Sequence, residues 1–381
     1  MKIILLVTGL NVGGAEQQVV ILAQRFQESQ HSVKVVTLIE PGRLSEDLFR
    51  AGIGVESLHM KRGVPGLNAV WKLAQIVRRE KPDVVHAHMF HANILARVSR
   101  VFWRKVPLVC TIHNVNEASS RSTKWNEKTW RDDAYRWTNR MSSATTAICD
   151  TSVKRFVDSR IFQTGKLSCV VNGIDIPKFA RNKESGERLR KELGLENKIV
   201  GLMVARMEPP KDQALLLRAW AEAVKKDARL HLVLVGDGPA RNDLEKLAAE
   251  LGVTANVSFM GIRKDVNAFM SMADFFLLIT IMEGLPISLL EASAAGLPII
   301  ASDAGGNRDA VLHKRTGFLV VPGKAAELAQ TITHMACLSA EERVAMGKAA
   351  HDLIVSRFNI DDVVNRWLDL YCMLLKKHIP N

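Results

Sequence analysis

Short apolar runs alternate with amphipathic stretches along the whole chain. In the first half the runs are Ile3–Val7, Val33–Leu38, Ile53–Leu58, Val84–His88, Leu108–Ile112 and Thr145–Ile148. Segments with helical spacing, such as Ala15–Gln27 and Leu67–Arg79, lie between them. The second half repeats the arrangement with Ile199–Val204, Leu230–Val235, Val257–Phe259, Phe275–Ile279, Pro298–Ala301 and Phe318–Val321. A strand that is apolar on both faces and followed by a helix belongs in a parallel sheet covered on both sides. Two such series predict an α/β chain with two doubly wound domains. The polar stretch Lys178–Gly186 is the expected join, giving domains at residues 1–180 and 181–358. Residues 359–381 are expected to form a terminal helix that packs back on the first domain, with Trp367, Leu370, Tyr371 and Leu374 on one face. Ligands of doubly wound folds bind at the carboxyl ends of the strands, and two such domains create a cleft between them. The strand-to-helix turns are therefore where chemistry is expected.

Composition narrows the class. The 381 residues are 47% hydrophobic and 24% charged, which supports sizeable cores without disulfide or metal staples. The five cysteines are odd in number, scattered, and never spaced Cys-x-x-Cys. That speaks against a disulfide framework or zinc cluster and for a reducing cytoplasm. The apolar opening Ile3–Val7 is too short for a signal peptide and leads into Gly9, Asn11, Gly13 and Gly14, as a strand leads into a turn. No stretch of about 18 apolar residues occurs, so no membrane span is expected. Charge changes the picture further. The net charge is +12; residues 1–180 hold 26 Lys and Arg against 15 Asp and Glu, and residues 181–381 hold 26 against 25. The first half is expected to meet something anionic.

Several turns carry glycines or cations. Gly9-Leu10-Asn11-Val12-Gly13-Gly14-Ala15-Glu16 opens the first helix, and Gly236-Asp237-Gly238-Pro239 opens another. Each serves either a tight bend alone or the approach of backbone to a phosphate or ribose. Neither matches the dinucleotide fingerprint Gly-x-Gly-x-x-Gly, since the third glycine of the second is Arg241. Glu40 stands where a ribose-binding acid would sit in an NAD-dependent oxidoreductase, the weaker reading. Arg206 ends the run Ile199–Ala205, and Lys211 precedes a helix from about Asp212. They are two solvated loop cations or a site for a dianion such as a diphosphate.

The segment Glu283-Gly284-Leu285-Pro286-Ile287-Ser288-Leu289-Leu290-Glu291 is the most informative. Gly284 is expected in an unusual backbone conformation, and Pro286 at the first position of a helix. Glu291 is the only charged residue between Pro286 and Pro298. A carboxylate on so apolar a helix must find donors, either ribose hydroxyls or a neighbouring loop. Glu283 should lie near the helix start, close to any phosphate or sugar there. No Asp-x-Asp pair is present to hold a metal-bound diphosphate, so its charge falls to Arg206, Lys211 and backbone N–H groups.

His86, His88 and His91 have the look of a metal cluster, but no Cys or carboxylate joins them at ligand spacing. His113, at the carboxyl end of Leu108–Ile112, is the better functional candidate. Basic and aromatic residues interleave in the first half: Arg97, Arg100, Phe102, Trp103, Arg104, Lys105, then Lys124, Trp125, Lys128, Trp130, Arg131, Arg136, Trp137 and Arg140. Such mixtures suit a lipid interface or an ordinary solvated face. No zinc-finger, RRM or KH signature appears, so nucleic acid is not an expected partner.

Taken in order, these motifs resemble the GT-B glycosyltransferases of glycosyltransferase family 4. The resemblance runs nearly end to end, through Gly13-Gly14-Ala15-Glu16, Val171-Asn172-Gly173-Ile174-Asp175, Arg206-x4-Lys211, Gly236-Asp237-Gly238-Pro239, Glu283-x7-Glu291 and Asp303-Ala304-Gly305-Gly306. It implies two Rossmann-like domains facing a central cleft and transfer from a nucleotide-sugar with retention, without a metal. It implies that Arg206 and Lys211 hold the donor diphosphate, Glu291 the ribose, and Glu283 and His113 the transferred sugar. The backbone of Gly284, Leu285, Pro286 and Ile287 would contact sugar or phosphate, Gly14 and Gly236 would lie by the donor, and Arg263 would face the base. Asp212 and Asp309 depart from the pattern, standing where Gly and Glu are common. The variant most resembles bacterial enzymes of surface polysaccharides (O-antigen, capsule or exopolysaccharide). Their donor is a UDP-sugar, and their acceptor a saccharide on undecaprenyl diphosphate at the anionic inner face of the cytoplasmic membrane. A nucleotide-sugar epimerase of the same fold is the alternative.

Overall fold

All of the apolar runs form strands in the computed structural model, which describes residues 1–11, 13–61, 66–115 and 129–378. The chain divides into two compact units. The described residues up to Gly173, with those from Ile360 on, make the first, and Ile174–Asn359 make the second.

Strands β1 (Lys2–Val7), β2 (Ser32–Thr37), β3 (Gly54–Ser57), β4 (Val84–His88), β5 (Leu108–Ile112), β6 (Ala144–Ala147) and β7 (Ser168–Cys169) form the first unit's sheet. Their order is β3-β2-β1-β4-β5-β6-β7, every pair parallel. β4 and β5 are buried along their whole length, as double-faced burial requires. The two-residue β7 has too few positions to announce itself in the sequence. The terminal helix Ile360–His378 belongs to this unit: Val363, Val364, Trp367, Tyr371 and Leu374 are buried, and the Tyr371 ring lies 5.8 Å from that of Phe26.

The second sheet comprises β8 (Ile199–Val204), β9 (Leu230–Val235), β10 (Val257–Phe259), β11 (Phe275–Leu278), β12 (Ile299–Ser302) and β13 (Gly317–Val320). The order is β10-β9-β8-β11-β12-β13, again all parallel. The order reverses between β8 and β11, which in such a sheet is where a ligand crevice opens at the carboxyl ends.

The division between units falls at Gly173 and Ile174, ahead of the polar stretch Lys178–Gly186 where the sequence placed it. Gly173 lies so close to Ile360 that a Cβ would sit 2.9 Å from its Cα, while the Ile174 N–H donates to Phe358 O at 2.8 Å. The polar stretch instead enters helix Lys183–Leu193, whose start is capped by Asn182 accepting from the Ser185 N–H at 2.9 Å.

Candidate active site

In the second unit the turns after β8, β9, β11 and β12 are hydrogen-bonded to one another. The Ala205 N–H donates to Val235 O and the Met207 N–H to Asp237 O, each at 3.0 Å. Gly236 (φ +134°) and Gly238 press against this loop so closely that a Cβ on either would overlap the Ala205 or Met207 carbonyl. The Gly236 N–H is engaged by Gly261 O at 2.8 Å. These glycines therefore act as spacers that hold the Arg206 loop. The Arg206 side chain is 64% exposed, with its guanidinium 2.8 Å from Glu208 Oε1.

The chain then makes the short turn Pro209–Lys211, and Asp212 adopts a left-handed conformation at φ +33°. Its carboxylate caps helix Gln213–Val224 by accepting from the Leu215 N–H at 3.4 Å, and burial raises that carboxyl above its ordinary range. The positive φ accounts for the glycine expected here, and the capping bond for how Asp replaces it.

Lys211 meets Glu283. Ammonium and carboxylate are in contact, with side chains only 18% and 15% exposed. Thr280, at the carboxyl end of β11, donates to Pro210 O at 2.6 Å, and the Ile281 N–H donates to the same carbonyl at 3.0 Å. Thr280 was missed in the sequence. Its signal was a lone polar residue closing an apolar strand just before Glu283. From the other side, the Gly306 N–H donates to Glu283 O at 3.2 Å, and Gly305 (φ +53°) leaves no room for a Cβ against that carbonyl.

Two expectations for this segment are corrected. Gly284 is not among the residues with positive φ; the left-handed glycine that the loop requires is Gly305, across from it. Pro286 caps the helix instead of beginning it: with φ −69° and ψ 124° it is extended, and the helix is Ile287–Ala294. Leu285, Pro286 and Ile287 are buried.

Glu291, on that helix, is half-buried. No hydrogen bond or ion pair to its carboxylate occurs among the described residues, so the neighbouring-loop partner of a purely structural role is not found. Burial raises the carboxyl to about 7, against the opposing charge of Lys178. Arg263, on the loop after β10, is held by Asp265 in a two-pronged pair at 2.8 and 2.7 Å, its guanidinium over the Phe269 ring. Asp309 lies 3.8 Å from Arg357.

The first unit holds the other candidates. His113 directly follows β5 and is buried, which lowers its pKa to about 4. Its Nε2 lies 3.0 Å from His88 Nδ1. His86 engages both nitrogens, with the Tyr371 hydroxyl at 2.6 Å and Thr111 Oγ1 at 2.7 Å, so it has no lone pair left for a metal. Gly14 begins the first helix, and the Glu16 carboxylate folds back over the helix start beside Gly13. Glu40 is exposed and pairs with His59.

The basic, aromatic stripe is thinner than the sequence suggested. Trp103 is core, donating to Ser99 Oγ at 3.0 Å. Arg97 is fully buried and donates to Thr145 Oγ1 at 2.8 Å, while Arg100 donates to Ser143 Oγ at 2.7 Å. These side chains lie on the inward face of helix Phe90–Ser99 and the turn after it. Trp71, Val101, Phe102, Trp130 (68% exposed) and Trp137 (80%) do face solvent. Lys124, Trp125 and Lys128 lie outside the described residues. Among the described residues no helix is long and apolar enough to cross a membrane.

Two family models match the chain in succession. Residues 12–178 match Glycosyltransferase Family 4, and residues 185–352 match Glycosyl transferases group 1. The Escherichia coli UDP-Gal:alpha-D-GlcNAc-diphosphoundecaprenol alpha-1,3-galactosyltransferase is 28% identical over 322 residues, covering 81% of this chain and 80% of that protein. A Mycobacterium tuberculosis GDP-mannose-dependent alpha-(1-6)-phosphatidylinositol monomannoside mannosyltransferase is 31% identical over 206 residues, 52% of this chain and 53% of that one. Among solved structures, Anabaena HepE in complex with UDP and glucose aligns with a TM-score of 0.86 at 23% identity, covering 98% of this chain and 100% of that one.

Proposed function

The chain belongs to the GT-B glycosyltransferases of the family-4 type, and on that premise we propose that it moves a hexose or N-acetylhexosamine from a UDP-sugar, with retention, onto a lipid-linked saccharide. The acceptor class is a sugar on undecaprenyl diphosphate, as in surface-polysaccharide assembly, met at the inner face of the cytoplasmic membrane. The E. coli relative named for a diphosphoundecaprenol acceptor supports this choice. The net positive charge of residues 1–180 and the exposed Trp130 and Trp137 support an anionic membrane surface as partner.

One observation carries the reading: Lys211 and Glu283 meet, nearly buried, at the carboxyl ends of the adjacent strands β8 and β11. A cation fixed there, with Arg206 on the same loop, suits the charge that grows on a leaving diphosphate. Glu283 supplies an acceptor for sugar hydroxyls, and Glu291, whose carboxylate has no hydrogen-bond partner among the described residues, an acceptor for those of ribose. In this scheme a donor phosphate oxygen takes the acceptor proton, and no metal is required. His113 is assigned to the transferred sugar by resemblance.

Thermal-shift screening against UDP-, GDP- and ADP-sugars tests the donor. At a hundredfold excess over Kd the true donor should stabilise the protein by about 2.7 kcal/mol. Stabilisation by GDP-mannose alone overturns the UDP assignment. Consumption of UDP-GlcNAc without an acceptor supports an epimerase in place of a transferase.

A further inference from the structure

The first unit buries three histidines in one seam, and the proposed reaction uses only His113. His86 is anchored at both nitrogens by Tyr371 and Thr111, and the Thr111 hydroxyl meets that of Thr146 at 2.8 Å. His88, two residues along β4 and so on the same strand face, packs against His86 with ring centroids 3.9 Å apart and ring planes tilted by 35°. Its Nδ1 reaches His113 Nε2 at 3.0 Å. The remaining nitrogens, His88 Nε2 and His113 Nδ1, are buried and have no hydrogen-bond partner among the described residues.

Packing alone does not account for this seam. Leaving two ring nitrogens unsatisfied carries a desolvation cost that an aliphatic or phenyl side chain at either position would avoid. Burial keeps His88 and His113 neutral, so in their mutual bond one nitrogen carries the proton and the other accepts. The two tautomers are therefore coupled. Whichever ring donates decides whether His113 Nδ1 presents a lone pair or an N–H.

We infer that His88 is a positioning residue that fixes the ring and tautomer of His113 through Nε2, so that Nδ1 of His113 meets a sugar hydroxyl as one defined tautomer. This rests on the function proposed above. A hydroxyl is the fitting ligand, because a neutral imidazole nitrogen offers one directed hydrogen bond and no charge for a phosphate. His86, clamped by the terminal helix through Tyr371, supplies the surface against which the His88 ring is held.

The test uses the full chain labelled with 15N-histidine, with His113→Gln to assign the His113 signals. In the ligand-free protein His113 should show one dominant tautomer. His88→Phe should mix the two, and His88→Asn, whose amide can stand in for Nδ1, should keep one. Turnover of the UDP-sugar selected by the thermal screen should fall about tenfold in His88→Phe, the worth of one lost hydrogen bond. UDP affinity should stay within about twofold in both variants, with turnover partly restored in His88→Asn. An unchanged His113 tautomer and turnover in His88→Phe overturn the inference. So does a folded His88→Asn protein as impaired as His88→Phe, which would make His88 a packing residue. If no nucleotide binds any form, the proposed function fails, and the tautomer comparison still decides the role of His88.

Discussion

Replacing Glu291 by glutamine should make the protein more stable and worse at holding a nucleotide. The carboxyl titrates near 7 in the folded chain against 4.5 for an ordinary glutamate, because burial disfavours its charge. A folded-state pKa above the unfolded one means the folded state holds the proton more tightly. Stability from this group is then full below about 4.5 and is lost as pH rises towards 7. Above that window the wild type carries a penalty of up to about 3 kcal/mol for an ionised carboxylate with no hydrogen-bond partner among the described residues. Glu291→Gln keeps the shape and removes the charge. It should therefore gain up to about 3 kcal/mol at pH 8 and almost nothing at pH 4, read from urea melts at the two values. If the carboxylate binds ribose hydroxyls, the same variant loses charge-assisted hydrogen bonds of about 1.5–3 kcal/mol each, and UDP affinity by calorimetry should fall at least tenfold. Equal stability at pH 8 together with unchanged UDP affinity would refute both the burial argument and the ribose role.

Three further outcomes follow from the same geometry. Lys211→Ala and Arg206→Ala should each cost about 2–4 kcal/mol of transition-state stabilisation, seen as a fall in kcat/KM; undiminished turnover in both removes them from the site. Gly305→Ala should destabilise the protein by at least about 1–3 kcal/mol, since the side chain would need a left-handed conformation and would collide with the Glu283 carbonyl; a melting temperature equal to wild type contradicts the spacer role. Sedimentation with vesicles should require anionic lipid and weaken with salt, and Trp137→Ala combined with Arg136→Ala should reduce it; binding indifferent to both salt and lipid charge excludes the proposed surface.

Strand positions were legible because burial on both faces leaves an unbroken apolar run, and β8 and β9 have the predicted ends. The join between units was not. Polarity at Lys178–Gly186 marked a turn and a capped helix, whereas the chain changes unit at Gly173, where what matters is the absence of a Cβ beside Ile360. Arg206, Lys211, Glu283 and Glu291 were legible as chemistry that the local pattern left unexplained. That Lys211 pairs with Glu283, Arg206 with Glu208, and Thr280 with the Pro210 carbonyl was not, because these contacts are made only once the turns are folded together. In the basic stripe, Arg97 and Trp103 read as part of a surface pattern, yet both are buried, Arg97 donating to Thr145 Oγ1 and Trp103 to Ser99 Oγ.

The pairing of Arg206 and Lys211 bears on how tightly the proposed site would hold a nucleotide. Without ligand, Arg206 rests on Glu208 and Lys211 on Glu283, so each positive charge is already met by a carboxylate. These pairs differ in kind. The Arg206 pair is largely solvated, worth at most about 1 kcal/mol, and a phosphate can take the guanidinium at little cost. The Lys211 pair is nearly buried, and parting it would leave Glu283 charged in a poorly solvated site, a loss of several kcal/mol. A diphosphate bound at the proposed site is therefore expected to share Lys211 with Glu283 without displacing it. On this reasoning Glu283→Gln should tighten UDP binding, because Lys211 then answers the phosphates alone, while turnover falls through loss of the carboxylate. Weaker UDP binding in Glu283→Gln, measured by calorimetry, would show that the carboxylate organises the phosphate site and does not compete for it.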